Sequence, residues 1–413
     1  MGPAPTEILV CNAGSSSLKW AVFRWSDLAQ MGSGSLCWDP AARARGDAHG
    51  RAVTAALGDM DVRRTAAVGH RVVHGGVRHA EAAVLDPVVC QDIADLADLA
   101  PLHNPAALQV MEAVAAALPG TPQVAAFDTA FHHTLPPGAS AYPLPGAWRR
   151  DWGIARFGFH GLSHAYAARR IPELLGLDPA TARIVNCHLG SGCSLCAIAG
   201  GCSRDTTMGF TPLDGIPMAT RPGALDPGIL LHVLERGLLD LPGLRQALEE
   251  ESGLRGLSGL SGDMRELLQA RERGHPGAAL ALTVFTRRVR QGIAAMATEM
   301  GGLDAIGFTG GIGTHAPAVR REVLAPLGWL GIRWRAPDSA AHPSTDHEET
   351  APGAPVRIAV FATREEWMVA QAVRALLPAP RAEVVRTEGG RAASPGNAVT
   401  DGPPAAAGGR PGG

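Results

Sequence analysis

Residues 8–23 read ILVCNAGSSSLKWAVF. An apolar run enters a Gly/Ser turn and a lysine follows, as in a phosphate-binding loop. In the Walker version of such a loop the glycines lead into a helix, and Ser or Thr follows the lysine. Here Trp20 follows Lys19, and Leu18, Trp20 and Val22 alternate with Lys19 and Ala21. That is the two-residue period of a strand. The stretch therefore predicts a β-hairpin whose turn can still offer backbone N–H groups as an anion nest. Of the 37 basic side chains, Lys19 is the one lysine and the other 36 are arginine. A compact, flexible point charge suits a phosphate where arginine's planar fork is harder to place. An ordinary hairpin with a solvent-facing lysine is the plainer alternative.

A second stretch alters the balance. IVNCHLGSGCSLCAI, residues 184–198, aligns with the first at an offset of 176: Ile8 on Ile184, Cys11 on Cys187, Gly14 on Gly190, Ser15 on Ser191 and Ala21 on Ala197. Two similar hairpins in halves of similar size indicate duplication, and a nucleotide held in a cleft needs a loop from each side. A third glycine cluster, FTGGIGTHA at 308–316, closes an apolar run before a helix. It suits close backbone approach to a nucleotide; taken alone it is a tight strand-to-helix turn.

The 413 residues, 46% hydrophobic, are enough for roughly two or three domains. A net charge of −2 argues against a nucleic-acid surface and gives no reason to expect a membrane one. Apolar runs such as Ala113–Leu118 fall short of the ~20 residues of a membrane span. MGPAPTE has no charged or apolar leader, so no export signal is expected, although it fits the short N-myristoylation pattern loosely. Seven cysteines read as thiols in a reducing compartment, which points to the cytoplasm.

Short β runs alternate with helices, an α/β pattern. NPAALQVMEAVAAAL predicts a helix with Asn104 as N-cap and Pro105 first in the helix. GTPQVAAFD is a strand ending at Asp128, Pro317 opens a helix, and VRIAVFAT leads into the helical REEWMVAQAVRALL. Residues 379–413, rich in Pro, Gly and Ala, lack the apolar surface to offset their ordering entropy and predict a disordered tail.

The motifs NAGSSSLK, GHRVVHGG, PLHNP, FDTAFH, GFHGLSH, CHLGSG, TMGFTPLDG, TRPGALDP and FTGGIG follow one another along the chain. Together they resemble the acetate kinase family of the acetate and sugar kinase, Hsp70 and actin superfamily, from residue 8 to about 377. The resemblance implies two duplicated RNase H-like (actin-like ATPase) α/β domains with an active-site cleft between them. These would span 1–150, completed by about 366–378, and 151–365. It also implies reversible transfer of the ATP γ-phosphoryl group to acetate, giving acetyl phosphate and ADP, with Mg or Mn, in a cytoplasmic homodimer without nucleic-acid or membrane partners.

The site residues carried by the resemblance follow its motifs. Arg71 and Arg221 would contact acetate and the transferring phosphoryl with their forked donors. His160 would stabilise the transition state, and His103 would brace the cleft. His188, Leu189, Gly190, Ser191 and Gly192 form the second phosphate loop, and Lys19 serves the first. Asp128 carries the family's catalytic label. Acetate resembles a Glu side chain of pKa about 4.3 and is already ionised at pH 7, so Asp128 is expected to orient Arg221 or a metal-bound water. The metal would take Asn12 and Glu365, few ligands as magnesium prefers. Thr363 and Glu366 stand at capping-box spacing. Val73, Leu102, Phe159 and Pro212 would form the pocket for the acetate methyl. One methylene is worth only ~1–3 kcal/mol, which makes propionate a slow alternative substrate. Adenosine contacts fall on Asp263, Met264 and Arg265, and on Gly311, Ile312, Gly313, Thr314 and His315. Thr314 and His315 depart from the family's GGIGEN; Arg364, Ser191 and Val77 stand where Asn or Asp, Asn, and Glu are usual. These departures bear on nucleotide preference and metal affinity.

Two other readings compete. Cys187, Cys193, Cys196 and Cys202 include a zinc-like C-x-x-C pair, although that pair falls in a predicted strand. A nucleotide-binding regulator without catalysis would account for the altered GGIGTH, whereas intact Arg71, Asp128, His160 and Arg221 oppose it.

Overall fold

The computed structural model describes residues 5–14, 17–37, 53–55, 57–58, 62–101, 103–336 and 346–380. The proposed tail beyond Pro380 lies outside them. The stretch at 8–23 forms the expected hairpin: β1 (Glu7–Ala13) runs antiparallel to β2 (Ser17–Arg24), with Asn12 opposite Lys19. The Gly14 N–H donates to the Ser17 carbonyl across the turn at 2.8 Å. The unbroken apolar run of β1 is explained by its central place. Ile8 and Val10 pack with Phe23 and Val369 on one face, and Leu9 and Cys11 with Leu18 and Val110 on the other. A strand buried on both faces has no reason to alternate.

β3 (Gln30–Cys37), β4 (Thr65–Val72), β5 (Ala83–Val84) and β6 (Gln123–Phe127) complete the first sheet, in the order β3-β2-β1-β4-β6-β5. The second sheet repeats the plan. β7 (Arg183–Leu189) and β8 (Cys193–Ala199) form its hairpin, followed by β9 (Cys202–Thr206), β10 (Ala305–Thr309), β11 (His347–Glu348) and β12 (Arg357–Val360). Its order is β9-β8-β7-β10-β12-β11. In each sheet an antiparallel trio meets two further parallel strands and a short antiparallel edge. The sequence repeat is thus a repeat of topology, the duplicated RNase H-like arrangement of the actin-like ATPases.

The helix Glu365–Leu376 follows β12 but packs on β1, β4 and β6 of the first sheet. Gly69 on β4 permits this: a Cβ there would lie 2.6 Å from Val369 Cγ1. The connection through Thr363 and Arg364 therefore passes from one sheet to the other.

Three local expectations are corrected. The helix Asn104–Ala117 has His103, not Asn104, at its cap. The fully buried Asn104 side chain turns inward, accepting from the His74 N–H and donating to the His74 and Ile93 carbonyls. Buried backbone there needs partners more than the helix end does. Thr363 and Glu366 form no capping box: Arg364 occupies the cap position, and both side chains are drawn into contacts described below. The C-x-x-C pair cannot share an ion, because residues three apart on a strand point to opposite faces. Cys193 packs in one hydrophobic cluster and Cys196 in another, and burial pushes both thiols up to about 12. No helix among the described residues is long and apolar enough to cross a membrane.

Candidate active site

A cavity of about 1190 Å³ opens between the two hairpins. Asn12, Gly14 and Lys19 line it from the first, Gly190, Ser191 and Gly192 from the second, and Arg364, Glu365 and Glu366 from the connection between sheets.

Arg71 sits near the end of β4, beside Asn12 in the parallel ladder. Its Nε donates to Asp128 Oδ1 at 3.1 Å and its Nη2 to Asp128 Oδ2, a bidentate pair. Nη1 donates to Asn12 Oδ1 at 3.1 Å, and Glu365 Oε2 lies 3.7 Å from Nε. Asn12 Nδ2 in turn donates to Glu366 Oε1 at 3.1 Å. Asp128 thus orients Arg71, not Arg221. The reason is sheet order: Asp128 follows β6, the neighbour of β4, and its N–H bonds the Val72 carbonyl. Burial works against the Arg71 charge, but Asp128 and Glu365 together raise the guanidinium above its ordinary value. Burial pushes the Asp128 carboxyl up, with Arg71 pulling down and Glu365 adding to the rise.

Arg221 is different. Its Nη1 donates to the Pro212 carbonyl at 2.9 Å, and among the described residues no carboxylate pairs with it. Burial lowers its pKa, yet a guanidinium stays charged in a protein. A charge largely withdrawn from water without a counterion is costly, and this half-buried one borders the cavity. At Gly192 a Cβ would lie 2.9 Å from Arg221 Nη2 and 3.2 Å from His160 Nε2. The absent Cβ lets these two groups converge on the second loop.

His160 adopts φ 57°, one of two non-glycine residues with positive φ among those described. Such strain tends to gather at functional sites. It precedes the helix Gly161–Leu175, whose first N–H donates to the Asp128 carbonyl at 2.8 Å. The rings of His160 and His188 stack with centroids 4.2 Å apart. Burial lowers His188 to about 4 and carries His160 well below its usual value, so both are neutral near pH 7. His103 also lines the cavity. Val73 and Phe159 are buried in one hydrophobic cluster. Leu102 lies outside the described residues.

Residues 41–371 match the acetokinase family. The chain belongs to that family. It is 48% identical over 310 residues to an acetate kinase of a Synechococcus species, covering 75% of this chain and 76% of that one. An acetate kinase of Gloeobacter violaceus is 47% identical over 305 residues, 74% and 75% of the two chains. Among solved structures, the acetate kinase of Porphyromonas gingivalis superposes with a TM-score of 0.80 at 33% identity, covering 89% of this chain and 98% of that one. A propionate kinase from Francisella tularensis gives 0.80 at 32% identity, again over 89% and 98%. The family match begins beyond the first hairpin, so the positions of Asn12 and Lys19 stand on the cleft geometry.

Gly310 and Gly311 also line the cavity. A Cβ at Gly310, φ 78°, would lie 2.6 Å from the Leu189 carbonyl oxygen. His188 lines it as well, but Leu189, Asp263, Met264, Arg265, Ile312, Gly313, Thr314 and His315 do not. Leu189, Met264 and Gly313 are buried, Ile312 packs on the core, and His315 is exposed. Thr314 donates back to the Gly310 carbonyl. Asp263 caps the helix Met264–Glu272 and holds the exposed Arg265. The buried Arg320, paired with Glu349, donates to the Gly313 and Thr314 carbonyls and fixes this turn.

Lys19 is exposed on β2, directly across from Asn12. Lys19→Arg is expected to lower kcat about tenfold while far-UV circular dichroism stays unchanged, because the fork cannot occupy the place of a point charge. Steady-state kinetics identical to those of the parent would return Lys19 to an ordinary hairpin lysine.

Proposed function

We propose that this member of the acetokinase family transfers the γ-phosphoryl group of ATP to acetate, giving acetyl phosphate and ADP, in both directions. The observation that carries the reading is the convergence at Gly192 of a half-buried Arg221 without an ion pair and a neutral His160, across the cavity from Arg71. Phosphoryl transfer asks a protein mainly to position two anions and neutralise migrating charge. Arg221 and His160 Nε2 are assigned to the transferring group and Arg71 to the acetate side. Acetate, already ionised, needs no base, and Asp128 serves by holding the Arg71 fork in one orientation.

Asn12 and Glu365 are assigned as holders of a divalent cation, with Glu366 fixing the Asn12 amide. Their donors are hard oxygens, as magnesium or manganese prefers. Three carboxylates, Asp128, Glu365 and Glu366, gather around two cations, Arg71 and Lys19, a negative excess that favours a cation there. When bound, such an ion would neutralise phosphate charge. Ser191 and the backbone of Gly190 and Gly192 are assigned to the phosphates. The adenosine end is assigned to the turn at Gly311–His315 and to Asp263–Arg265.

Val73, Phe159, Pro212 and Leu102 are assigned to the methyl group, and this small pocket favours acetate over propionate. With ATP and magnesium, trapping of the product by hydroxylamine should give acyl hydroxamate fastest from acetate, more slowly from propionate and least from butyrate. No product from any of the three would end this reading.

We further infer a homodimer. Ile229, Leu231, Leu234, Leu238, Leu239 and Leu241, on the helix Pro227–Glu235 and just after it, are 39–64% exposed. Contiguous apolar surface of this kind marks an interaction face. Light scattering should give twice the chain mass, and Leu231→Asp should shift it towards one; a monomeric parent would refute the assignment. A cytoplasmic location accords with seven cysteines that remain free thiols.

A further inference from the structure

The two stacked histidines end two hydrogen-bond chains whose direction can be read from their far ends. On the second sheet, Asn186, His188 and Ser194 occupy alternate or cross-strand positions on the face that meets the helix Gly161–Leu175, the helix that carries Ser163 and His164. Asn186, Ser163, His164 and Ser194 are all fully buried, so no solvent competes for their hydrogen bonds.

The first chain starts at Asn186. Its Nδ2 donates to His164 Nδ1 at 2.9 Å. A ring nitrogen that accepts carries no proton, so the proton of a neutral His164 is on Nε2. That nitrogen lies 2.8 Å from Ser194 Oγ and donates to it. The Ser194 hydroxyl is then free to donate to His160 Nδ1 at 2.9 Å. His160 accepts at Nδ1 and therefore bears its proton on Nε2, the atom that faces Gly192 beside Arg221. The second chain starts at Thr363, whose hydroxyl donates to Ser163 Oγ at 3.1 Å. Ser163 then donates its hydroxyl hydrogen bond to His188 Nδ1 at 2.8 Å, so the proton of the neutral His188 ring is on Nε2, beside Gly190.

The orientation of the Asn186 amide decides the direction of the first chain. Its Oδ1 has no hydrogen-bond partner and lies against Gly307, where a Cβ would be 2.8 Å away and Ile171 closer still. Turning the amide over would place both N–H groups on that apolar wall. As it stands, one N–H and the carbonyl oxygen go unmet among the described residues; turned over, both N–H groups would, and a buried N–H without a partner is the rarer defect.

We propose that Ser194 and Ser163 are positioning residues that fix the tautomers of His160 and His188, so that both rings present an Nε2–H to the migrating phosphoryl group. Reversed chains would turn two bare lone pairs towards an anion. The inference rests on the proposed phosphoryl transfer for its purpose, although the tautomers themselves are independent of it. Fixing a histidine tautomer through its second nitrogen is how a catalytic imidazole is commonly prepared. Here a serine hydroxyl does so on each ring, without adding charge to the stack.

Long-range 1H–15N spectra of the histidine rings in the full chain test this directly, with His160 and His188 assigned by their loss in His160→Ala and His188→Ala. The parent should show Nε2–H with a bare Nδ1 for both. Ser194→Ala should leave His160 averaging between tautomers and lower kcat about 10–100-fold, with KM for acetate and ATP little changed. In a His160→Ala background the same change should cost nothing further. Nδ1–H tautomers in the parent, or independent losses in the double variant, would overturn the inference. The parent spectra need no variant of either serine to fold. Failure of the parent to make acyl phosphate would count against the proposed function, whereas the spectra would still decide the network.

Discussion

Arg221→Ala should abolish turnover and leave the fold and ATP binding in place. The arginine donates one hydrogen bond, to the Pro212 carbonyl, worth about 1 kcal/mol. No carboxylate among the described residues is orphaned by its removal, and a half-buried charge without an ion pair disappears with it. In phosphoryl transfer a guanidinium brought to the transition state is worth about 10³–10⁵ in rate, and a loss of that order is expected in kcat. Arg221→Lys should recover only part of it, since an ammonium lacks the fork. Arg71→Ala would behave differently. It strands Asp128 and brings Glu365 beside an uncompensated carboxylate. Breaking a buried pair from one side costs about 3–5 kcal/mol, so stability and activity should fall together. Circular dichroism, ATP titration by calorimetry and the hydroxamate assay on the two variants separate these cases. An unfolded Arg221→Ala would make that arginine a structural one.

Acid should unfold the protein well before its carboxylates titrate. His70, His74, His132 and His188 are each driven by burial to about 4. The unfolded chain accepts protons on these groups near 6.5, while the folded protein refuses them until about 4. Stability is therefore whole above about 6.5 and is lost as the pH falls towards 4. By linkage each such histidine removes about 2 kcal/mol at pH 5. Four of them together approach the ~5–15 kcal/mol that holds a domain. His160 and His164, lowered further, act in the same direction. Asp128 and Glu365, whose carboxyls are pushed up by burial, oppose the trend in part. The urea midpoint at pH 5 should thus fall far below that at pH 7.5. Equal midpoints would mean that these histidines are not held neutral.

Much of this arrangement is legible in the sequence because it is carried by periodicity. The alternation after Lys19 gives a hairpin, and its echo at 184–198 gives the duplicated sheets. What the sequence conceals is partnership across strands that are neighbours only in space. Asp128 and Arg71 are 57 residues apart and meet because β6 lies beside β4; the sequence pointed to Arg221 or a metal-bound water as the partner of Asp128. Thr363 and Glu366 have the spacing of a capping box, a local pattern that tertiary contacts with Ser163 and Asn12 override. The serines behind the histidines carried a readable signal. Once 184–198 is a hairpin, Asn186 and His188 share a face by alternation; that Ser194 pairs with His188 and that the Ser-His of GFHGLSH lies opposite them is seen in the fold.

The single lysine has a consequence for chemistry applied from outside. Amine-directed reagents meet many ε-amines on most enzyme surfaces and report an average. Here the described cleft holds the chain's one ε-amine, exposed on β2 and facing the cavity. Apart from the α-amino group, a dye or crosslinker has Lys19 as its one address, and its rate of attachment there becomes a gauge of whether the cleft is filled.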